Sequence, residues 1–222
     1  MKKLVLLSSC IVMSATMSFA QKYKAIIKTD VGTIEAVLFD NTPKHRDNFI
    51  KLAKNGTYNG VLFHRVIPQF MVQTGDPNSK TAAKGQMLGE GDLGYRIPAE
   101  FVKENIHRKG ALAAARDNNP DKASSSCQFY IVEGKTYNEK ELENLAKSRN
   151  LTFTDTQKKI YATEGGTPFL DNNYTVFGQV IKGYDLVPQI SKVKRNNMDR
   201  PEEDIHIQSV KIKKKFLGKF KY

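Results

Sequence analysis

The sequence predicts a mainly β fold, an antiparallel barrel or sandwich. Three observations carry this. Apolar and polar residues alternate through many short runs, helical periodicity is confined to a few segments, and Gly, Asn, Asp and Pro punctuate the chain between them. Residues 24–29 (KAIIKT) and 32–39 (GTIEAVLF) read as two strands joined by the turn Asp30-Val31-Gly32. Thr42-Pro43 opens a helix to about Lys54, with Thr42 as N-cap and proline at the first helical position. Phe49, Ile50, Leu52 and Ala53 form its apolar face, and Asn55-Gly56 ends it. Residues 61–67 and 70–73 read as strands broken at Pro68-Gln69, and 80–95 as a long surface loop. Two more strands, 111–116 and 128–132, flank a polar loop at 117–126. Residues 174–180 form another strand, 185–193 a helix and 205–213 a last strand. There is no internal repeat.

Residues 135–166 stand apart. Asn138-Glu139-Lys140-Glu141 and Thr154-Asp155-Thr156-Gln157 both have the spacing of a capping box. Helix-compatible sequence follows each, with Leu142 and Leu145 in one and Ile160 and Tyr161 in the other. The reading is two short helices inserted between strands, a decoration of the β domain, with Gly165-Gly166 returning the chain.

The chain has 222 residues. Lys2-Lys3, an apolar stretch to Met17, and the small-x-small end Ser18-Phe19-Ala20 read as a secretory signal peptide cut after Ala20. The expectation is export across the inner membrane to the periplasm. Lipoprotein anchoring at Cys10 is the weaker reading. The remainder, 21–222, suits one domain, and no apolar run in it could span a membrane. Loss of the leader leaves Cys127 alone, which excludes a disulfide scaffold and reads as a small buried residue. The formal net charge is +12, yet the lysines are scattered except in the tail 211–222, KIKKKFLGKFKY. No nucleic-acid-binding signature accompanies that charge, so a solvated basic tail is expected and no nucleic-acid partner. An anionic envelope polymer is the functional alternative for the tail. His45, His64, His107 and His206 have no metal-ligand spacing.

The run FHRVIPQFMVQTGD (63–76) concentrates the chemistry. It sets Arg65 near the apolar pair Phe70 and Met71, with an amide donor at Gln73. It has neither metal-ligand nor phosphate-loop character, and no nucleophile with its base. It suits a site that holds an apolar ring and offers a charged donor to a carbonyl.

That run closely resembles the signature of the cyclophilin peptidyl-prolyl isomerases. Three further segments resemble the family in the right order: GALAAAR (110–116), QFYIVEG (128–134) and FLDNNYTVFGQVIKGYDLV (169–187). The resemblance implies a closed eight-stranded antiparallel barrel capped by two helices, with the helical insertion added. It implies isomerisation of Xaa-Pro bonds in unfolded or extended polypeptides, without a cofactor. Arg65 would be catalytic. Phe70, Met71, Tyr130 and Leu170 would form the proline pocket, and Gln73, Ala115 and Arg116 would line the substrate backbone. Phe63, Phe129 and Tyr174 would complete the site, the two phenylalanines flanking it. The expected state is a monomer. A proline-segment binding module with little turnover is the rival reading.

Departures from the family pattern look bacterial. Tyr130 stands for the more common phenylalanine, which would add a hydroxyl to the pocket. Phe169 replaces a tryptophan, implying weak cyclosporin binding, and Tyr174 replaces a histidine. Gln69 and Thr74 replace glycines, and the loop from Arg116 to Gln128 is about two residues longer than usual.

Overall fold

Alternation in the first two runs buries Ala25, Ile27, Ile34, Ala36 and Leu38 on one face. The hairpin that results joins β1 (Tyr23–Thr29) to β2 (Gly32–Leu38) in continuous register, Tyr23 opposite Leu38 and Thr29 opposite Gly32. The computed structural model describes residues 21–216 and 219–220. The signal-peptide reading of residues 1–20 lies outside them.

Helix α1 (Pro43–Lys54) follows and buries Phe49, Ile50, Leu52 and Ala53 as its spacing predicts. The short strands β3 (Arg65–Ile67) and β4 (Met71–Thr74) form a hairpin. Directly after the expected loop at 80–95 comes a short strand, β5 (Arg96–Ile97). Next come β6 (Ala111–Ala114), β7 (Ser124–Ser125) and β8 (Phe129–Val132). β5 and β7 pair as a separate ribbon. Two residues per strand are too few for alternation to register in the sequence.

The insert holds α2 (Glu139–Arg149) and α3 (Asp155–Thr163), each with its complete capping box. The chain closes with β9 (Val176–Lys182), α4 (Leu186–Ser191), β10 (Ile207–Phe216) and β11 (Lys219–Phe220). The main antiparallel sheet has the order β11-β10-β1-β2-β9-β6-β8-β4-β3. Without the two-residue β11 it has eight strands.

The sheet is a half-barrel, open rather than closed as expected. β3 and β10 do not pair as strands. The chain ahead of β3 is linked instead to the start of β10 and the residues before it, by Phe63 N–H to Ile205 O (2.9 Å) and Ile207 N–H to Val61 O (2.8 Å). The basic segment from Lys211 is also not a free tail as far as Phe216. It is strand, with Lys211 opposite Ile26 and Lys214 opposite Tyr23.

The core has two parts. Inside the curved sheet lie Ile27, Leu38, Phe49, Tyr58, Val72, Leu112, Phe129 and Ile131. On the opposite face of β4, β6 and β8 lies a smaller cluster around Met71, Ala113, Tyr130 and Val132. Strands buried on both faces read as continuous apolar runs, as FYIV in β8 does.

Candidate active site

The smaller cluster is the floor of the site, and strand register puts it there. Arg65 is paired with Gln73, Gln73 with Tyr130, and Tyr130 with Ala113. Successive side chains on a strand face opposite ways. Val66, Val72, Ile131 and Leu112 therefore enter the inner core, while Arg65, Gln73 and Tyr130 face outward together. The β3–β4 turn carries Gln69 at φ +60°, a left-handed conformation that glycine adopts more cheaply. Its amide donates to Glu133 Oε2 at 3.0 Å, which helps hold the turn.

A cavity of about 90 Å³ opens on this face, lined by Arg65, Phe70, Met71, Gln73, Ala115, Arg116, Tyr130, Leu170 and Tyr174. These are nine of the site residues that the sequence nominates. The other two, Phe63 and Phe129, lie in the inner core at 1% and 2% exposure. For Phe129 the reason is parity: it neighbours Tyr130, so it points through the sheet to the other side. Its ring meets Phe49 and Tyr58 edge-on, with centroids 5.3 Å away in each case.

The polar groups differ in how far they are already engaged. Arg116 donates from Nε to Asn173 O (2.9 Å) and from a terminal nitrogen to Asp117 O (2.8 Å). Its guanidinium lies 4.6 Å from the centroid of the Tyr174 ring and so braces that wall. Gln73 donates to Gln128 Oε1 at 3.0 Å. Gln128 in turn donates to Gly89 O and Gly91 O, both at 2.8 Å, which ties the 80–95 loop to the site. Arg65 is different. Its side chain is 43% exposed, and its nearest acid, Asp199 Oδ2, is 4.0 Å from Nε. Its guanidinium carbon is 5.9 Å from the Phe70 ring centroid. The donors of Arg65 thus stay available beside an apolar hollow.

Tyr130 does not offer its hydroxyl to the cavity as expected. The oxygen is 3.1 Å from His107 Nε2, and burial pushes the phenol well above its ordinary pKa. The sequence reading weighed His107 only as a metal ligand, because no local motif ties it to the pocket. Phe169 packs against Phe70 in a tilted pair with centroids 5.6 Å apart. Beyond Gln73 a second groove of about 300 Å³ runs past Gly89, Asp92, Arg96 and Asp117. It is built partly by the β5–β7 ribbon, which the sequence did not disclose.

Cys127 is buried, and burial pushes its thiol up to about 11, so it stays protonated and non-nucleophilic at neutral pH. Among the described residues no group of His, Cys, Asp and Glu could hold a metal ion, and no helix is long and apolar enough to cross a membrane.

The family model described as cyclophilin type peptidyl-prolyl cis-trans isomerase/CLD matches residues 24–212. The chain belongs to the cyclophilin family. A Staphylococcus saprophyticus relative named as a peptidyl-prolyl cis-trans isomerase is 42% identical over 190 residues, 85% of this chain and 91% of the relative. A Staphylococcus epidermidis relative of the same name is 38% identical with the same coverage. Among solved structures, a Cryptosporidium parvum cyclophilin type isomerase aligns with a TM-score of 0.61 at 23% identity, over 86% of this chain and 97% of the other. A second structure of that protein, in the presence of the dipeptide Ala-Pro, aligns with a TM-score of 0.59. The activity of this cyclophilin is peptidyl-prolyl cis-trans isomerisation.

Proposed function

We propose that the Arg65 pocket isomerises Xaa-Pro bonds in unfolded or extended chains and so assists the folding of exported proteins in the periplasm. Amide resonance sets a barrier of roughly 18–20 kcal/mol. No bond is broken, so the work is to grip the ring and stabilise the twisted amide. Phe70, Met71, Tyr130 and Leu170 enclose the pyrrolidine. Arg65 donates to the carbonyl or to the nitrogen, which becomes more basic as the amide twists. Only bonds stronger in the twisted state than in the planar one raise the rate. Gln73, Ala115, Arg116 and Tyr174 orient the peptide along the neighbouring wall.

The observation that carries this reading is the guanidinium of Arg65, half-exposed beside an apolar hollow while Arg116 is committed to carbonyls. The Ala-Pro dipeptide of the structural neighbour fits the same ligand class. Export rests on residues 1–20, whose charge, apolar stretch and Ser-Phe-Ala end suit a cleaved leader.

In a proline-peptide assay, Arg65→Ala should lower kcat/KM by about 100-fold or more, the scale of losing one aimed donor. Its circular dichroism should match wild type. Unchanged activity would overturn the mechanism. A periplasmic form whose N-terminus is Gln21 is the expected mass-spectrometric result, and an uncleaved cytoplasmic chain would remove the export half.

A further inference from the structure

The helical insert reaches the proline pocket through a line of buried hydrogen bonds. On α3, Tyr161 is fully buried against Ile106 and Leu142. Its hydroxyl meets Asp171 Oδ2 at 2.5 Å. Asp171 Oδ1 accepts from the His107 backbone N–H at 2.9 Å and lies 2.8 Å from the ring Nδ1. His107 Nε2 is 3.1 Å from the Tyr130 hydroxyl. All four residues are at least nine-tenths buried. Tyr130 lines the cavity, whereas Tyr161, Asp171 and His107 do not.

The chemistry runs in one direction. A carboxylate can only accept, so Asp171 accepts a hydrogen bond from each of these neighbours. Burial, reinforced by Asp171, pushes the Tyr161 phenol upward, so Tyr161 remains a donor. The Nδ1–H of His107 faces Asp171, which fixes the ring and aims Nε2 at Tyr130. That aim sets the tilt of the Tyr130 ring, one wall of the pocket. Asp171 also follows Leu170 directly and closes the Pro168–Leu170 turn by donating its N–H to Pro168 O at 3.2 Å. A second pocket wall is thereby tied, through the backbone, to the same residue.

We propose that Tyr161, Asp171 and His107 are positioning residues for the isomerase site, and that the insert supports the proline pocket rather than decorating the domain. The proposal rests on the Arg65 pocket being the isomerase site.

The test is a double-mutant cycle on kcat/KM with Tyr161→Phe and Tyr130→Phe, with thermal unfolding measured alongside. Tyr161→Phe, remote from the cavity, should lower kcat/KM about 3- to 10-fold, as expected for one lost buried hydrogen bond. Tyr130→Phe should do the same. Because both cut one line, the double variant should be no slower than Tyr130→Phe alone. Losses that multiply, or a Tyr161→Phe enzyme within about twofold of wild type, overturn the proposal. If Tyr161→Phe does not fold, His107→Gln, which also lies outside the cavity, decides: kcat/KM within about twofold of wild type overturns the proposal and a loss of about 3- to 10-fold supports it. Arg65→Ala in the same assay separates the two levels. If that variant is as active as wild type the site itself is misassigned, whereas an inactive Arg65→Ala beside a fully active Tyr161→Phe removes only the relay.

Discussion

His64 sits next to Arg65 in the chain, yet it faces the interior, and among the described residues neither ring nitrogen has a hydrogen-bond partner. Burial lowers its pKa from 6.5 to about 4, against the opposing pull of Asp76 and with a small contribution from Arg65. The folded pKa lies below the unfolded one, so between the two values the unfolded chain holds the extra proton. This contribution to stability is therefore complete above pH 6.5 and is lost as pH falls toward 4. The loss should amount to about 3 kcal/mol. His45 is depressed too, by burial that outweighs its bond to Glu100, and adds to the same trend. Urea midpoints should fall through this window, and His64→Gln should flatten the slope. An equal slope in that variant would assign the effect elsewhere. Thr74 shows how a departure from a family glycine is accommodated: its buried hydroxyl donates to Leu62 O at 2.8 Å. A hydroxyl at that depth requires a partner.

Helix starts were legible throughout, but the group that caps them was legible only where the cap is local. Both insert helices begin with a reciprocal capping box, Asn138 with Glu141 and Thr154 with Gln157. All the atoms involved lie within four residues, so the spacing alone reveals them. Thr154→Ala removes the acceptor for the Gln157 N–H and should cost about 1 kcal/mol, read as a fall in melting temperature. A stability equal to wild type would mean that the insert does not rely on this cap. Helix α1 behaves differently. Thr42 occupies the cap position but makes no side-chain cap bond. The amides of Lys44 and His45 donate instead to the carboxylate of Glu100, at 3.1 and 3.0 Å. Sequence spacing cannot reveal a cap supplied from 55 residues away. The two ends of the insert meet at another element-scale feature. A Cβ on Gly166 would stand 2.2 Å from His107 O, so only glycine lets the returning chain pass.

At the scale of the whole molecule, the lysines from Lys211 to Lys215 are part of the sheet. Lys213 lies opposite Lys24 and Lys214 opposite Tyr23, which places β10 alongside β1. Removing residues 211–222 strips this pairing from β1 and should cost at least about 2 kcal/mol, or roughly 4–8 °C in Tm. Calorimetry checks it, and an unchanged Tm would restore the reading of this segment as a solvated appendage. The half-barrel also explains why so much of the pocket was legible. Arg65, Phe70, Met71 and Gln73 come from one hairpin, where chain proximity and spatial proximity coincide. Tyr130 and Ala115 come from strands whose apolar runs were visible. The second groove was not, because it needs Arg96 and Ser125 paired across two very short strands.

Periodicity and turn chemistry by themselves determined the longer strands, the first helix and the insert, and the matched segments determined the family and nine of the pocket residues. These are properties of local sequence, since strand parity and capping act over a few residues. Only the tertiary structure decided which side of the sheet each side chain occupies. It sent Phe129 and Phe63 to the core, left the barrel open, and turned the Tyr130 hydroxyl from the pocket to His107. It also brought Tyr161 to Asp171 and Asp171 to His107, pairs that are 10 and 64 residues apart in the chain. Buried polar groups must find partners wherever the packed fold places them, and that search leaves no periodic mark in the sequence.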